Sequence, residues 1–182
     1  MKLKTWKIFK TRDLFVIKPW IKISKDKIEL PDGSVVNDFY RIQLPEYVMI
    51  YAQKSARKVL FARQYKHALR AIILSLPAGY IKNKETPLRA AKREFLEETG
   101  YLAHKWKFMG SFLVDGNRGC GKANFFIAEK IEKIAEPIQD KMEESDIVFM
   151  DPRQALKEIL NYKVSLLGIV TLLLIALRNK HL

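Results

Sequence analysis

Residues 79–101, GYIKNKETPLRAAKREFLEETGY, constrain this chain more than any other stretch. Just before them, Ala71-Ile72-Ile73-Leu74-Ser75-Leu76 is a short apolar run that stops at Pro77, the pattern of a buried strand. Thr86 is placed to cap a helix, and Pro87 suits the first helical position, where its missing N–H costs nothing. Gly100 can take the left-handed conformation that ends the helix. At about 100° per residue, Glu94, Glu97 and Glu98 fall within about a third of a turn of one another. Leu88, Ala91 and Phe95 make a separate apolar stripe about a quarter turn away, so the helix can pack while its acids face outward. The unit reads strand, loop, helix, with Ala78 and Gly79 in the loop that faces the carboxylates.

That arrangement opposes two local preferences. Glu94 and Glu98 are a like-charged i, i+4 pair, unfavourable by about 0.2–0.5 kcal/mol. All three acids sit toward the helix C-terminus, where the dipole disfavours anions by about 0.3–1 kcal/mol each. Such a cluster invites a counter-ion, and hard oxygen ligands at this density suit Mg²⁺, with Mn²⁺ as the alternative.

Composition frames the rest. A chain of 182 residues, 48% hydrophobic and free of low-complexity segments, is expected to form one ordered domain. Its one cysteine, Cys120, excludes an internal disulfide and offers no zinc constellation. The basic opening MKLKTWKIFK lacks the apolar core of a signal peptide, and the expectation is a cytoplasmic protein. Val164–Leu177 is the longest uncharged stretch, shorter than the ~20 residues that span a bilayer. It reads as a buried C-terminal helix, and no membrane partner is expected.

The net charge is +13, and its distribution matters more than its size. Between Glu46 and Glu85 there is no acidic residue, so a cationic segment runs directly into the acidic helix. An enzyme acting on a polyphosphate needs both: carboxylates to hold metal and cations to hold phosphate oxygens. Nucleic acid could use the same cations but is not favoured, because no run of five like charges occurs.

Strands are expected at Phe15–Ile17, Ile21–Leu30, Val35–Leu44, Tyr47–Tyr51 and Val59–Arg63, with a Pro31-Asp32-Gly33 turn joining the second and third. Trp106–Val114 and Asn124–Ala128 read as a hairpin, Ile147–Met150 as a short strand, and Pro152–Leu160 as a helix. The pattern implies an α+β or α/β layered architecture built on a mixed sheet. The GNRGCGKA loop at 116–123 nearly spells a Walker A motif, but Ala123 stands where a hydroxyl must reach Mg²⁺ and a strand-like FFIA follows. It is rejected as a phosphate loop; Asn117 and Arg118 remain candidates for substrate contact. His67, His104 and His181 show no metal or catalytic spacing.

Gly79, Glu85 and the run Arg93-Glu94-Phe95-Leu96-Glu97-Glu98-Thr99-Gly100-Tyr101 together resemble the box of the Nudix hydrolases at every defined position. Arg63-Gln64-Tyr65-Lys66 followed by Leu76-Pro77-Ala78-Gly79 is similar to a pair of motifs in that family's ADP-ribose and ADP-sugar pyrophosphatase branch. The resemblance implies an α/β/α sandwich with a mixed β-sheet, N-terminal antiparallel strands and C-terminal helices. It implies a single domain over 1–182, with 1–45 as a strand region at a homodimer interface and 46–182 as the catalytic core. The implied reaction is Mg²⁺-dependent hydrolysis of a nucleoside diphosphate linked to another moiety, ADP-ribose or an ADP-sugar giving AMP and a sugar phosphate. Alternatives are hydrolysis of dinucleoside polyphosphates or other nucleotides, or a non-catalytic module that binds nucleotide or RNA.

By the same resemblance, Glu94 and Glu98 are the principal metal ligands, with Glu97 sharing and the Ala78 carbonyl completing the site. Glu97 and Glu98 are also the catalytic candidates, joined by Glu144 and then Glu143 from the acidic stretch 139–146. Glu85 and Arg93 form a supporting ion pair, with Gly79 and Gly100 shaping the loop and the helix end. Arg63 and Lys66 are substrate-binding candidates, Lys66 falling at a phosphate-binding position, where a lysine supplies charge without the bidentate fork of arginine. Trp20 and Phe39 or Tyr40 fall where a nucleobase stacks.

Overall fold

The computed structural model describes residues 3–138 and 144–179, which divide into two compact units. The first comprises the chain up to Glu46 together with Leu113–Lys122. Its three antiparallel strands, β1 (Lys7–Ile17), β2 (Ile21–Glu29) and β3 (Val35–Gln43), lie in the order β1-β2-β3. The expected turn between β2 and β3 is present, with Gly33 at φ +86° and the Ser34 N–H donating to Asp32 Oδ1 at 2.9 Å. Only the last three residues of β1 were legible as strand. All eleven are solvent-exposed, so no apolar/polar alternation marks the earlier ones. One face of β2 is buried: Asp26, 1% exposed, accepts hydrogen bonds from Thr11 and Arg41.

The second unit, residues 47–112 and 123–182, carries a seven-stranded mixed sheet. Its strands are β4 (Tyr47–Ser55), β5 (Lys58–Lys66), β6 (Ala71–Ser75), β7 (Ala78–Tyr80), β8 (Tyr101–Asp115), β9 (Cys120–Lys133) and β10 (Ser145–Met150); β8 and β9 run on into the first unit. The order is β10-β5-β4-β9-β8, with β6 on β5 and β7 on β4; β4 and β9 are parallel. Helices cover both faces. On one, Val48, Ile50 and Ala52 pack with Ala90, Ala91 and Phe95 of α1 (Pro87–Thr99). On the other, Met49, Tyr51 and Phe61 pack with Ala155 and Ile159 of α2 (Pro152–Leu160) and with Ile169, Leu172, Leu173 and Ala176 of α3 (Leu167–Asn179). Successive β4 side chains alternate between the two cores, as a strand's period of two dictates. This is the expected α/β/α sandwich.

Three local expectations need correcting. Leu88 is 40% exposed, and Ala90, Ala91, Phe95 and Thr99 form the buried face of α1 instead. Ala78 and Gly79 are not loop but belong to β7, whose residues pair with Tyr47, Val48 and Met49 of β4. Two such small residues leave no periodic signal, and the strand exists because β4 offers it backbone partners. The C-terminal helix starts at Leu167, three residues into the apolar run. Among the described residues, no helix is long and apolar enough to cross a membrane.

Candidate active site

The box helix begins and ends as its sequence dictates. Thr86 Oγ1 accepts from the Arg89 N–H, Pro87 takes the first turn, and Gly100 at φ +70° closes the helix by donating its N–H to the Leu96 carbonyl. Within this frame Arg93 organises the acids. Its Nε and Nη2 donate to Glu85 Oε1 and Oε2 at 2.9 and 2.8 Å, a bidentate pair across the loop. Its Nη1 donates to Glu94 Oε1 at 2.7 Å and Glu97 Oε2 at 3.0 Å, and Nη2 also reaches the Tyr80 carbonyl at 3.0 Å. The guanidinium holds the Glu85 carboxyl down at about 2, aided by the Lys82 backbone N–H; Glu85 in turn raises Arg93 above its ordinary value.

Strand β7 supplies the other wall. The Ala78 N–H donates to Glu98 Oε2 at 3.0 Å. Glu94 lies directly over Gly79: a Cβ there would fall 2.0 Å from the Glu94 carboxyl carbon. Only glycine admits that approach. The helix, β7 and the loop between them therefore bring Ala78, Gly79, Glu85, Arg93, Glu94, Glu97 and Glu98 together. Among the described residues, no three acidic, histidine or cysteine groups already converge as a metal cage. What converges instead is Glu94 and Glu97 on one cationic nitrogen. An oxygen donor set that already collects around positive charge is chemically suited to a hard divalent cation.

A strap that the sequence did not announce crosses the C-terminal end of this helix. The Ile134 and Ala135 N–H groups donate to the Gly100 carbonyl at 3.0 and 3.1 Å, and the Ile138 N–H to the Glu97 carbonyl at 2.7 Å. These bonds satisfy carbonyls that a helix end otherwise leaves unpaired. Backbone donors carry no residue signature, so nothing in the sequence could have revealed them. Glu144 lies exposed just before β10. Glu143 lies outside the described residues.

Lys66 ends β5, on the opposite side of the strand from Arg63 by the alternation of residues. Arg63 faces the α2 side, bidentate on Glu158 at 2.8 and 3.2 Å, and does not join the carboxylate cluster. Glu158 also accepts from the Tyr162 hydroxyl at 3.0 Å, and both partners hold its carboxyl below the usual range. Trp20, Phe39, Tyr40, Asn117 and Arg118 belong to the first unit. There Phe39 meets Trp6 edge-on at 5.8 Å, and the Asn117 and Arg118 N–H groups both donate to Asp115 Oδ1.

The NUDIX domain family model matches residues 44–166. A methanol dehydrogenase activator of Bacillus methanolicus is 28% identical over 132 residues, 72% of this chain and 70% of that protein. An ADP-ribose pyrophosphatase of Bacillus subtilis (strain 168) is 28% identical over 116 residues, 64% of this chain and 62% of that protein. The solved structure of an ADP compounds hydrolase superposes with a TM-score of 0.81 at 17% identity, over 100% of this chain and 97% of that one.

Proposed function

This chain belongs to the NUDIX domain family, and from that membership we propose that it is a hydrolase of nucleoside diphosphates linked to a second moiety, with ADP-ribose or an ADP-sugar as substrate. The products are AMP and a sugar phosphate. One observation carries the reading: a single guanidinium draws Glu94 and Glu97 together while β7 holds Glu98 beside them.

Nudix hydrolases generally use divalent metals, and Mg²⁺ is the metal proposed here. Glu94, Glu97 and Glu98 would hold it, with the Ala78 carbonyl adjacent. Bound at such a site, Mg²⁺ would neutralise phosphate charge and lower the pKa of a water. The remaining work falls to the chain. Glu85 and Arg93 lock the loop to the helix, so the three carboxylates are positioned before substrate arrives. Gly79 keeps the backbone close to Glu94. Lys66 supplies a cation for phosphate oxygens, and Glu144 accepts a proton from the attacking water. A homodimer forms part of the proposal, supported by β1, an edge strand exposing Ile8 and Val16 on the side of the sheet that carries Thr11.

The test incubates the protein and Glu98→Gln with Mg²⁺ and a panel of ADP-ribose, other nucleotide sugars, dinucleoside polyphosphates and nucleoside triphosphates. AMP release from ADP-ribose by the wild type alone is expected. Turnover confined to another substrate moves the specificity, and wild-type rates in Glu98→Gln overturn the site.

A further inference from the structure

The antiparallel register of the first unit gathers cations on one face, where the acid Glu29 lies at the end, opposite Lys7. Thr11 pairs with Asp26 and Asp13 with Ser24, and hydrogen bonds within both pairs place all four on one side of the sheet. The residues between them, by alternation, lie on the other side. There Lys10 stands directly opposite Lys27, and Arg12 directly opposite Lys25. Like charges directly opposite one another destabilise a sheet, and here the same fault is made twice in succession. Among the described residues none of the four cations has a carboxylate within ion-pair distance. The acids Asp13 and Asp26 are committed to Lys22 and Arg41 on the other face. Two aromatic rings share the cationic face: Tyr40 opposite Lys25, and Phe15 opposite Ile23. They are 41% and 48% exposed.

We propose that this face binds single-stranded nucleic acid, the cations tracking the phosphates and the rings offering surfaces for base stacking. Along each strand the cations recur about every 6.7 Å. A sheet face that sets exposed rings beside lysine and arginine is a physical platform for unpaired bases. A second copy meeting this face with its own would bring two cationic surfaces together. An anionic bilayer would meet the same charge, and the vesicle arm of the test separates it. The inference stands on the first unit alone and is independent of the hydrolase reading.

The test is fluorescence anisotropy of the full chain with labelled twelve-nucleotide oligouridylate and oligothymidylate, without divalent metal, from 50 to 300 mM salt. The comparison variant is Lys10→Gln/Arg12→Gln/Lys25→Gln/Lys27→Gln. A control removes equal charge from the other unit: Arg57→Gln/Lys58→Gln/Lys107→Gln/Lys157→Gln. If the face binds, removing four phosphate contacts flattens the log–log salt slope by about 3. Affinity at low salt then falls by 100-fold or more, while the control keeps most of it. Lys10→Gln/Lys27→Gln alone should show about half the change in slope. It removes one of the like-charged pairs, so its thermal midpoint should not drop. Hydrolysis should be unchanged in the quadruple and double variants of this face. Equal loss in the control variant sinks the proposal, since net charge alone would then explain binding. So would no binding by the wild type at 50 mM salt, or equal binding to phosphatidylserine vesicles that depends on the same four residues.

Discussion

Replacing Arg93 with methionine tests the organisation of the carboxylate cluster most directly. The substitution keeps most of the aliphatic stem but removes five hydrogen bonds: two to Glu85, and one each to Glu94, Glu97 and the Tyr80 carbonyl. The Arg93 and Glu85 side chains are 19% and 14% exposed. Breaking a fully buried pair costs about 3–5 kcal/mol, whereas an exposed pair is worth about 0–1 kcal/mol. This pair lies between, and about 2–3 kcal/mol is expected at pH 7. The pH dependence gives a second route to the magnitude. Glu85 is held at about 2 against an ordinary 4.5, which corresponds to about 3 kcal/mol before solvent screening. Because the folded-state value is depressed, this contribution is complete above 4.5 and is lost as the pH falls through about 2. Urea unfolding of wild type, Arg93→Met, Glu85→Gln and the double variant at pH 7 and pH 3 measures both effects. The double-mutant cycle should return a coupling of about 1–3 kcal/mol at pH 7, smaller at pH 3. Additivity within about 0.5 kcal/mol, or a coupling indifferent to pH, would refute the reasoning.

The remaining expectations concern the same helix. Gly79→Ala places a methyl 2.0 Å from the Glu94 carboxyl carbon, the far end of a flexible side chain. Glu94 should swing away with little loss of stability, while turnover falls about 100-fold, read by kcat alongside a urea melt. Gly100→Ala differs, because its Cβ would fall 2.1 Å from the backbone oxygen of Ala135 at a residue with φ +70°. Left-handed strain of about 1–2 kcal/mol plus a clash that only backbone can relieve should cost about 3 kcal/mol in all, measured by chemical denaturation. Mg²⁺ at 100 times its dissociation constant should raise stability by about 2.7 kcal/mol. Glu94→Gln/Glu98→Gln should abolish that gain, and a thermal melt with and without the metal detects it.

Much of the site was written locally. Thr86, Pro87 and Gly100 end the helix through their own backbone chemistry, and the 94/97/98 spacing sets the acids together whatever surrounds them. The strands that bury one face announced themselves by alternation. Strand β1 did not, because a strand exposed on both faces has no reason to alternate. Strand β7 did not, because its partner β4 lies some thirty residues away in sequence, and pairing leaves no mark on two small residues.

The sequence by itself determined which residues could carry the chemistry: three carboxylates on one helical face, a glycine before them and an acid–arginine pair to brace them. Periodicity and capping are properties of neighbours along the chain, so they can be read there. Only the tertiary structure decided how those residues are used. It placed Glu94 against Gly79, gave Glu98 the Ala78 N–H, and drew Arg63 away to Glu158. It ran the Ile134–Ile138 backbone across the helix end and set lysine opposite lysine in the N-terminal sheet. Each of these depends on strand register and on backbone donors, which are fixed by which elements meet in space.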